Sequence, residues 1–188
     1  MHYSNDVSTL SIDAQFFFGP ALLVSPVTEK DSDSVTFYLP NDIFWDFQTL
    51  RRVTPTATKT TYSGLGTSDI PVHIKCRNIV PIRVASANTT TALRTKDFEL
   101  IVAPNGDDEA WGSLYLDDGV SLEPEVVSEI SFTYEGGKLK ADGTFGYDAG
   151  VSIKTVTVLG DADPVKYELN EKLIGAWEHD VKKLKKRD

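Results

Sequence analysis

Asp13-Ala-Gln-Phe-Phe-Phe-Gly-Pro-Ala-Leu-Leu-Val-Ser-Pro-Val27 decides how the fold of this chain is read. The run is apolar, is broken once at Gly19-Pro20 and ends at a second proline, Pro26. It is too short and too interrupted to span a membrane. A continuous apolar run bounded by turn residues suits a strand buried on both faces. Such strands belong mostly to α/β sheets and to barrels with helices outside. The sequence after Val27 has a different character: it alternates, is rich in turn residues and carries no convincing helix. A barrel-type strand ahead of an all-β sequence leads us to expect that the chain begins inside a larger fold.

Outward from that run, Val35-Thr-Phe-Tyr-Leu39 and Ile43-Phe-Trp-Asp-Phe47 are β-branched and aromatic. Pro40-Asn41-Asp42 between them is a turn signal, so the two segments are expected to pair as a hairpin. Val72 to Cys76, Ile79 to Arg83, Phe98 to Val102, Trp111 to Leu116, Ile130 to Tyr134, Val151 to Leu159 and Val165 to Leu169 continue the pattern. Pro81 marks its segment as an edge or a bulge. Short strands at this spacing, separated by Gly, Asp, Asn and Pro, predict β-sandwiches. The small polar stretch Val84-Ala-Ser-Ala-Asn88 is the expected boundary between two of them. The predicted organisation is residues 1–27 as the end of a barrel, 28–85 as one antiparallel β-sandwich and 86–188 as a second.

Size and charge narrow the function. At 188 residues the chain can bury a sizeable core. A formal net charge of −9 argues against nucleic acid, whose binding rests on phosphate neutralisation by Lys and Arg. The basic cluster Lys182, Lys183, Lys185, Lys186 and Arg187 reads as a solvated, frayed end. Cys76 is the only cysteine, so no intrachain disulfide forms and the thiol reads as a small core group. Met1-His-Tyr-Ser-Asn-Asp lacks a basic region followed by an apolar stretch and does not read as a signal peptide.

Four collinear motifs resemble family 31 glycoside hydrolases, the α-glucosidase family. Asp13-x-Gln15-Phe16-x-x-Gly19 with Leu23-Val-Ser-Pro-Val27 is similar to that family's last barrel strand. Val35-Thr-Phe-Tyr-Leu-Pro40 followed by Trp45-Asp-Phe resembles its Tyr-Leu-Pro…Trp-Tyr-Asp hairpin. Ile70-Pro-Val-His-Ile-Lys-Cys-Arg-Asn-Ile-Val-Pro-Ile-Arg83 resembles its Ile-Pro-x-His strand pair, and Ser113-Leu-Tyr-Leu-Asp-Asp-Gly119 its Leu-Tyr-x-Asp-Asp-Gly segment. Gly143-Thr-Phe-Gly-Tyr147 looks like fungal α-glucosidases. Cys76-Arg77-Asn78 departs from the family's Gly-Gly-x, so this turn is expected to differ.

The resemblance implies the end of a (β/α)8 barrel and two C-terminal β-sandwiches of a secreted retaining α-glucosidase. It implies the remainder of that enzyme and carbohydrate as partners, with no nucleic acid and no membrane. The family's nucleophile motif Trp-x-Asp-Met-Asn-Glu is absent from this sequence, whose only methionine is Met1. No catalytic residue, metal ligand or cofactor is therefore assigned to the chain itself. An autonomous carbohydrate-binding or structural β-sandwich is the competing reading.

Individual residues are weighed on their setting. Asp117 and Asp118 are adjacent, point to opposite faces of a strand and suit a tight turn better than a catalytic pair. Asp13 is expected to be buried in a structural hydrogen bond. His2 is expected at the surface or between domains, and His73 as a hydrogen-bonded interface histidine. Trp45, Trp111 and Trp177 are expected to pack in cores or interfaces. Asn88-Thr89-Thr90 is the one N-x-Ser/Thr sequon, and Asn88 is its expected glycosylation site in a secreted protein.

Overall fold

The computed structural model describes residues 3–187; His2 lies outside the described residues. The chain divides into two compact units between Cys76 and Arg77. Among the described residues the regular structure is β, apart from the short helix α1 (Thr90–Arg94) and two single 3-10 turns.

The first unit holds two sheets. β1 (Phe16–Phe18), β2 (Leu22–Val24), β6 (Val72–Lys75) and β4 (Phe44–Asp46) form a four-stranded sheet in the order β1-β2-β6-β4. β3 (Val35–Leu39) pairs with β5 (Thr58–Tyr62) in a two-stranded sheet. Leu23, Phe37, Leu39 and Phe44 form the buried centre, with Tyr3, Phe17, Val35, Val53 and Tyr62 packed against them.

The front run is therefore two strands rather than one. Gly19 takes φ of +63°, a conformation open to glycine at little cost, and turns β1 back onto β2. β2 has neighbours on both sides, β1 and β6. β1 is an edge strand on which only Phe17 turns inward: Phe16 stays 53% and Phe18 70% exposed. Composition predicted burial on both faces, and the pleat delivers alternation instead.

The expected hairpin of residues 35–47 is not formed. Pro40-Asn41-Asp42 does turn, with Asp42 N–H donating to the Pro40 carbonyl at 2.7 Å. The turn hands the chain from one sheet to the other, so β3 meets β5 and β4 meets β6. Phe37, Tyr38, Leu39 and Pro40 are all buried, a pattern that a hairpin with one wet face would not need.

The second unit is one eight-stranded sheet, β13-β12-β8-β7-β9-β10-β11-β14. Its members are β7 (Asn78–Arg83), β8 (Phe98–Ala103), β9 (Glu109–Leu116), β10 (Ser128–Glu135), β11 (Lys138–Phe145), β12 (Ser152–Val158), β13 (Val165–Lys172) and β14 (Trp177–Asp180). The expected boundary at residue 85 is corrected by the ladder β7–β8, which runs from Asn78↔Ala103 to Arg83↔Phe98. Residues on either side of 85 thus share one sheet, and the division falls at the Cys76-Arg77 turn. Pairing is antiparallel except between β12 and β8 and at a single Asn78↔Trp111 step.

β10 shows why the sequence folds this way. Ser128, Ile130, Phe132 and Tyr134 are buried and the residues between them exposed. Ile130, Phe132 and Tyr134 join Leu100, Leu139, Ile153 and Val156 in one continuous core. The basic end is not frayed. Glu168 N–H donates to the Lys185 carbonyl and Arg187 N–H to the Lys166 carbonyl, both at 2.9 Å, so residues 185–187 lie along β13.

Arg77 stands where the resembling family carries glycine, and it keeps the left-handed backbone, φ +64°. A non-glycine residue adopts this at a cost. The side chain offsets it: the guanidinium lies 4.3 Å from the Trp111 ring centroid and Nη2 is 3.1 Å from Glu109 Oε2.

At Gly112 a Cβ would collide with the backbone carbonyl oxygen of Ile79. Gly112→Ala is expected to destabilise the chain by about 1–3 kcal/mol, because β7 must move aside. Gly175→Ala, where nothing lies within 4 Å, is expected to change stability by less than about 0.5 kcal/mol. Urea unfolding of the two variants checks the contrast.

Candidate functional site

Three places concentrate polar chemistry, and the residues singled out in the sequence fall among them unevenly.

In the first unit, Asp42 collects the ends of separate segments. Its Oδ2 accepts from the Tyr3 hydroxyl at 2.8 Å, and its Oδ1 from Ile43 N–H and from the Cys76 thiol, each at 2.8 Å. Lys75 Nζ lies 3.9 Å from Oδ2 and 5.2 Å from the Tyr3 ring centroid. Burial, and after it the Asp42 carboxylate, push the Cys76 thiol up to about 11. A thiol held protonated in this way is a poor nucleophile. Gln15 acts as a second clasp. Its Oε1 accepts from Tyr38 N–H at 2.8 Å and its Nε2 donates to the Tyr38 carbonyl at 3.2 Å, so the side chain imitates a strand partner. Asp13 is exposed, contrary to expectation: the neighbouring Gln15 makes the structural bond that Asp13 was expected to make.

His73 is fully buried on β6 with its ring 4.8 Å from Phe37 and 6.0 Å from Tyr62. It was expected to be hydrogen-bonded, yet neither ring nitrogen has a hydrogen-bond partner among the described residues. Burial lowers its pKa to about 4, against a weaker opposing pull from Asp46. Trp45 is buried and Trp177 packs on the second core beside Phe132, as expected. Trp111 is not a core residue. It stands 47% exposed on the outer face of β9 under Arg77.

The third place lies in the second unit, where α1 faces the turn after β9. Thr89 caps α1 by accepting from Ala92 N–H at 3.2 Å. Arg83 closes the other end: its Nη1 donates to the Arg94 carbonyl at 3.2 Å and to the Lys96 carbonyl, and its guanidinium lies 3.7 Å from the Phe98 ring centroid. Arg94 then reaches across to Asp117, donating from Nη2 to Oδ1 at 2.6 Å and to the Asp117 carbonyl. Gly119, at φ +70°, leaves room for the Arg94 guanidinium, which a Cβ there would strike.

Asp118 is occupied by the turn itself. It accepts from Val120 N–H at 2.9 Å, Ser121 N–H at 3.0 Å and the Ser121 hydroxyl at 2.5 Å. The Ser121 hydroxyl, then the two backbone donors, hold its carboxyl down at about 2. The turn reading of the Asp pair therefore stands.

Between α1 and this turn runs a groove with a cavity volume of about 430 Å³. Arg94, Asp117, Tyr115 and Tyr147 line it together with Thr91 and Thr95. Sequence reading had found the Asp pair but missed Arg94 and Tyr115. Tyr115 had a signal, since it falls on the exposed side of the alternating strand β9, just ahead of the Asp pair. Arg94 had none. Among the described residues no cluster of three or more His, Cys, Asp or Glu side chains is arranged to hold a metal ion. Asn88 is exposed on the bend before α1, two residues ahead of Thr90.

Residues 1–80 match the C-terminal domain of glycosyl hydrolase family 31. The chain belongs to glycosyl hydrolase family 31. It is 47% identical over 162 residues to a probable alpha/beta-glucosidase of Aspergillus fumigatus, covering 86% of this chain and 18% of that protein. To glucoamylase 1 of Candida albicans it is 35% identical over 175 residues, covering 92% of this chain and 18% of that one. The chain thus spans about a fifth of the length of these relatives. The glucosidase II alpha subunit matches in structure with a TM-score of 0.71 at 20% identity, over 89% of this chain and 23% of that one. The family 31 alpha-xylosidase of Xanthomonas citri matches with a TM-score of 0.68 at 22% identity, over 95% and 21%. These two share the fold.

His73 sets an expected pH dependence of the family 31 fold. A histidine whose folded pKa is depressed binds fewer protons folded than unfolded between about 4 and 6.5. Stability therefore falls as pH drops through that window, by on the order of 3 kcal/mol in full. His73→Phe keeps a ring between Phe37 and Tyr62 and should flatten the slope. Thermal melts of both proteins from pH 7 to pH 4 measure it.

Proposed function

We propose that this chain is the C-terminal part of a retaining α-glucosidase, one that releases glucose from α-glucosides such as maltose. Its role is to support the catalytic barrel and not to supply the catalytic carboxylates. The observation that carries the reading is the 47% identity to a probable alpha/beta-glucosidase over nearly the whole of this chain. The surface of the first unit is consistent with it. Val7, Leu10, Phe16 and Phe18 are large, apolar and exposed within a short stretch of sequence, the two phenylalanines on the edge strand β1 itself. Contiguous exposed apolar surface marks an interaction site. The partner in this reading is the barrel of the same enzyme, against which these exposed side chains pack.

Retention of configuration needs two carboxyl groups about 5 Å apart on either side of the glycosidic bond. In this reading the barrel supplies both. Asp117 and Asp118 are committed to Arg94 and to the turn. The protein is proposed to be secreted and to carry an N-glycan on Asn88, whose exposure and polar setting leave an oligosaccharide transferase access.

The chain alone is expected not to hydrolyse maltose, while mixing it with the catalytic portion of a fungal family 31 relative should restore activity. Phe16→Asp with Phe18→Asp should abolish that restoration yet leave the isolated chain folded and more soluble. Turnover by the isolated chain would refute the reading. Expression through a fungal secretory pathway should yield a species heavier by one glycan, and Asn88→Gln should remove the difference on a denaturing gel.

A further inference from the structure

We propose that the groove between α1 and the 117–120 turn is a saccharide-binding subsite of the second unit. It takes a neutral α-linked glucose oligosaccharide, with Tyr115 as its stacking platform. The inference rests on the carbohydrate-enzyme reading above and adds a site that the reading does not require.

Four observations carry it. The cavity volume, about 430 Å³, falls within the range of small-ligand sites, roughly 300–1,000 Å³. Its lining joins an aromatic face to convergent polar groups. Tyr115 is 52% exposed on the outward side of β9, a large ring left in water beside a depression. The exposed C–H groups on one face of a glucose ring suit such a platform. Arg94 and Asp117 offer donors and an acceptor side by side, held in place by their own 2.6 Å bond, so their geometry is set before a ligand arrives. Vicinal sugar hydroxyls, each both donor and acceptor, match that pair.

Charge decides against the other occupant an arginine invites. Arg94 is neutralised by Asp117, and Arg83 is spent on the carbonyls of Arg94 and Lys96. Asp118, ionised down to a pH of about 2, adds negative charge to the rim. A phosphate or a carboxylate would meet no uncompensated cation here, whereas a neutral polyol needs none. The rigidity of the walls supports the assignment. Arg83 fastens α1 from one side and Arg94 fastens the turn from the other, so the groove is preformed.

A glycan on Asn88, just ahead of the helix that forms one wall, would offer the same neutral polyol chemistry as a free oligosaccharide. The test uses the full 188-residue chain made in a host that does not glycosylate it. Amide chemical shifts are followed while maltotriose is added, with inorganic phosphate in a parallel series. Maltotriose should bind at millimolar affinity and shift the amides of Arg94, Tyr115, Asp117 and Gly119. Tyr115→Ala should weaken binding about tenfold, Tyr115→Phe should not, and Trp111→Ala should leave it unchanged. The same spectra confirm that each variant is folded. Equal affinity of Tyr115→Ala and the parent, shifts centred elsewhere, no shift well above the millimolar range, or the same shifts with phosphate would each overturn the proposal. Glycosylated protein compared with Asn88→Gln separates the two sources: undiminished affinity identifies the free oligosaccharide, and loss restored by Asn88→Gln identifies the chain's own glycan. Restored maltose hydrolysis in the mixing experiment, without binding here, would sink this inference alone.

Discussion

β8 cannot exist alone. Five of its six residues, Phe98, Leu100, Ile101, Val102 and Ala103, are buried, and both its edges must be hydrogen-bonded away from water. β7 supplies one edge and β12 the other, the second in parallel. Much of the second unit follows from this. The Arg83↔Phe98 register brings the Arg83 guanidinium over the Phe98 ring and within reach of the carbonyls that end α1. The residues between β7 and β8 are therefore a folded connection and not a linker. α1 owes its position to that clamp, since five residues are too few to hold a helix by propensity.

The first unit solves a different problem, the placement of polar groups among aromatic ones. Asp42 is satisfied four times over, by Tyr3, Ile43, Cys76 and Lys75, and so ties the start of the unit to its middle and its end. His73 is held by ring packing, with neither nitrogen hydrogen-bonded among the described residues. Such a group is tolerated because the neutral imidazole costs less to bury than the charged one. Acid therefore acts on His73 through a proton that its burial disfavours.

Local and periodic features were legible in the sequence. Most strands from Val72 onward were legible, though β11 and β14 were not; the turn at Asp117-Asp118-Gly119 was read correctly, and collinear motifs pointed to family 31 before any coordinates. Pairing across distance was not legible. β3 chooses β5 over β4 because of which faces need cover, and that is a property of the assembled core. The division at Cys76-Arg77 was hidden because polar, small residues near 85 look like a linker, although they cap a helix and close a sheet. Phe16 and Phe18 misled for the opposite reason: apolar composition was equated with burial, while the pleat left both in water. Arg94 is 23 residues from Asp117, and no local pattern announces such a contact. The groove was only half readable for that reason.

The backbone at the end of the chain has a consequence for self-association. An outermost strand with bare N–H and C=O groups is a template on which a second molecule can build. Residues 185–187 lie along β13 and satisfy part of that template from within the same chain. The lysines there do two jobs. Their backbones cover the rim, and Lys185 Nζ reaches back to Glu168 Oε2 of β13 at 3.5 Å. What read in the sequence as a solvated, frayed end occupies part of the edge on which such a neighbour would build.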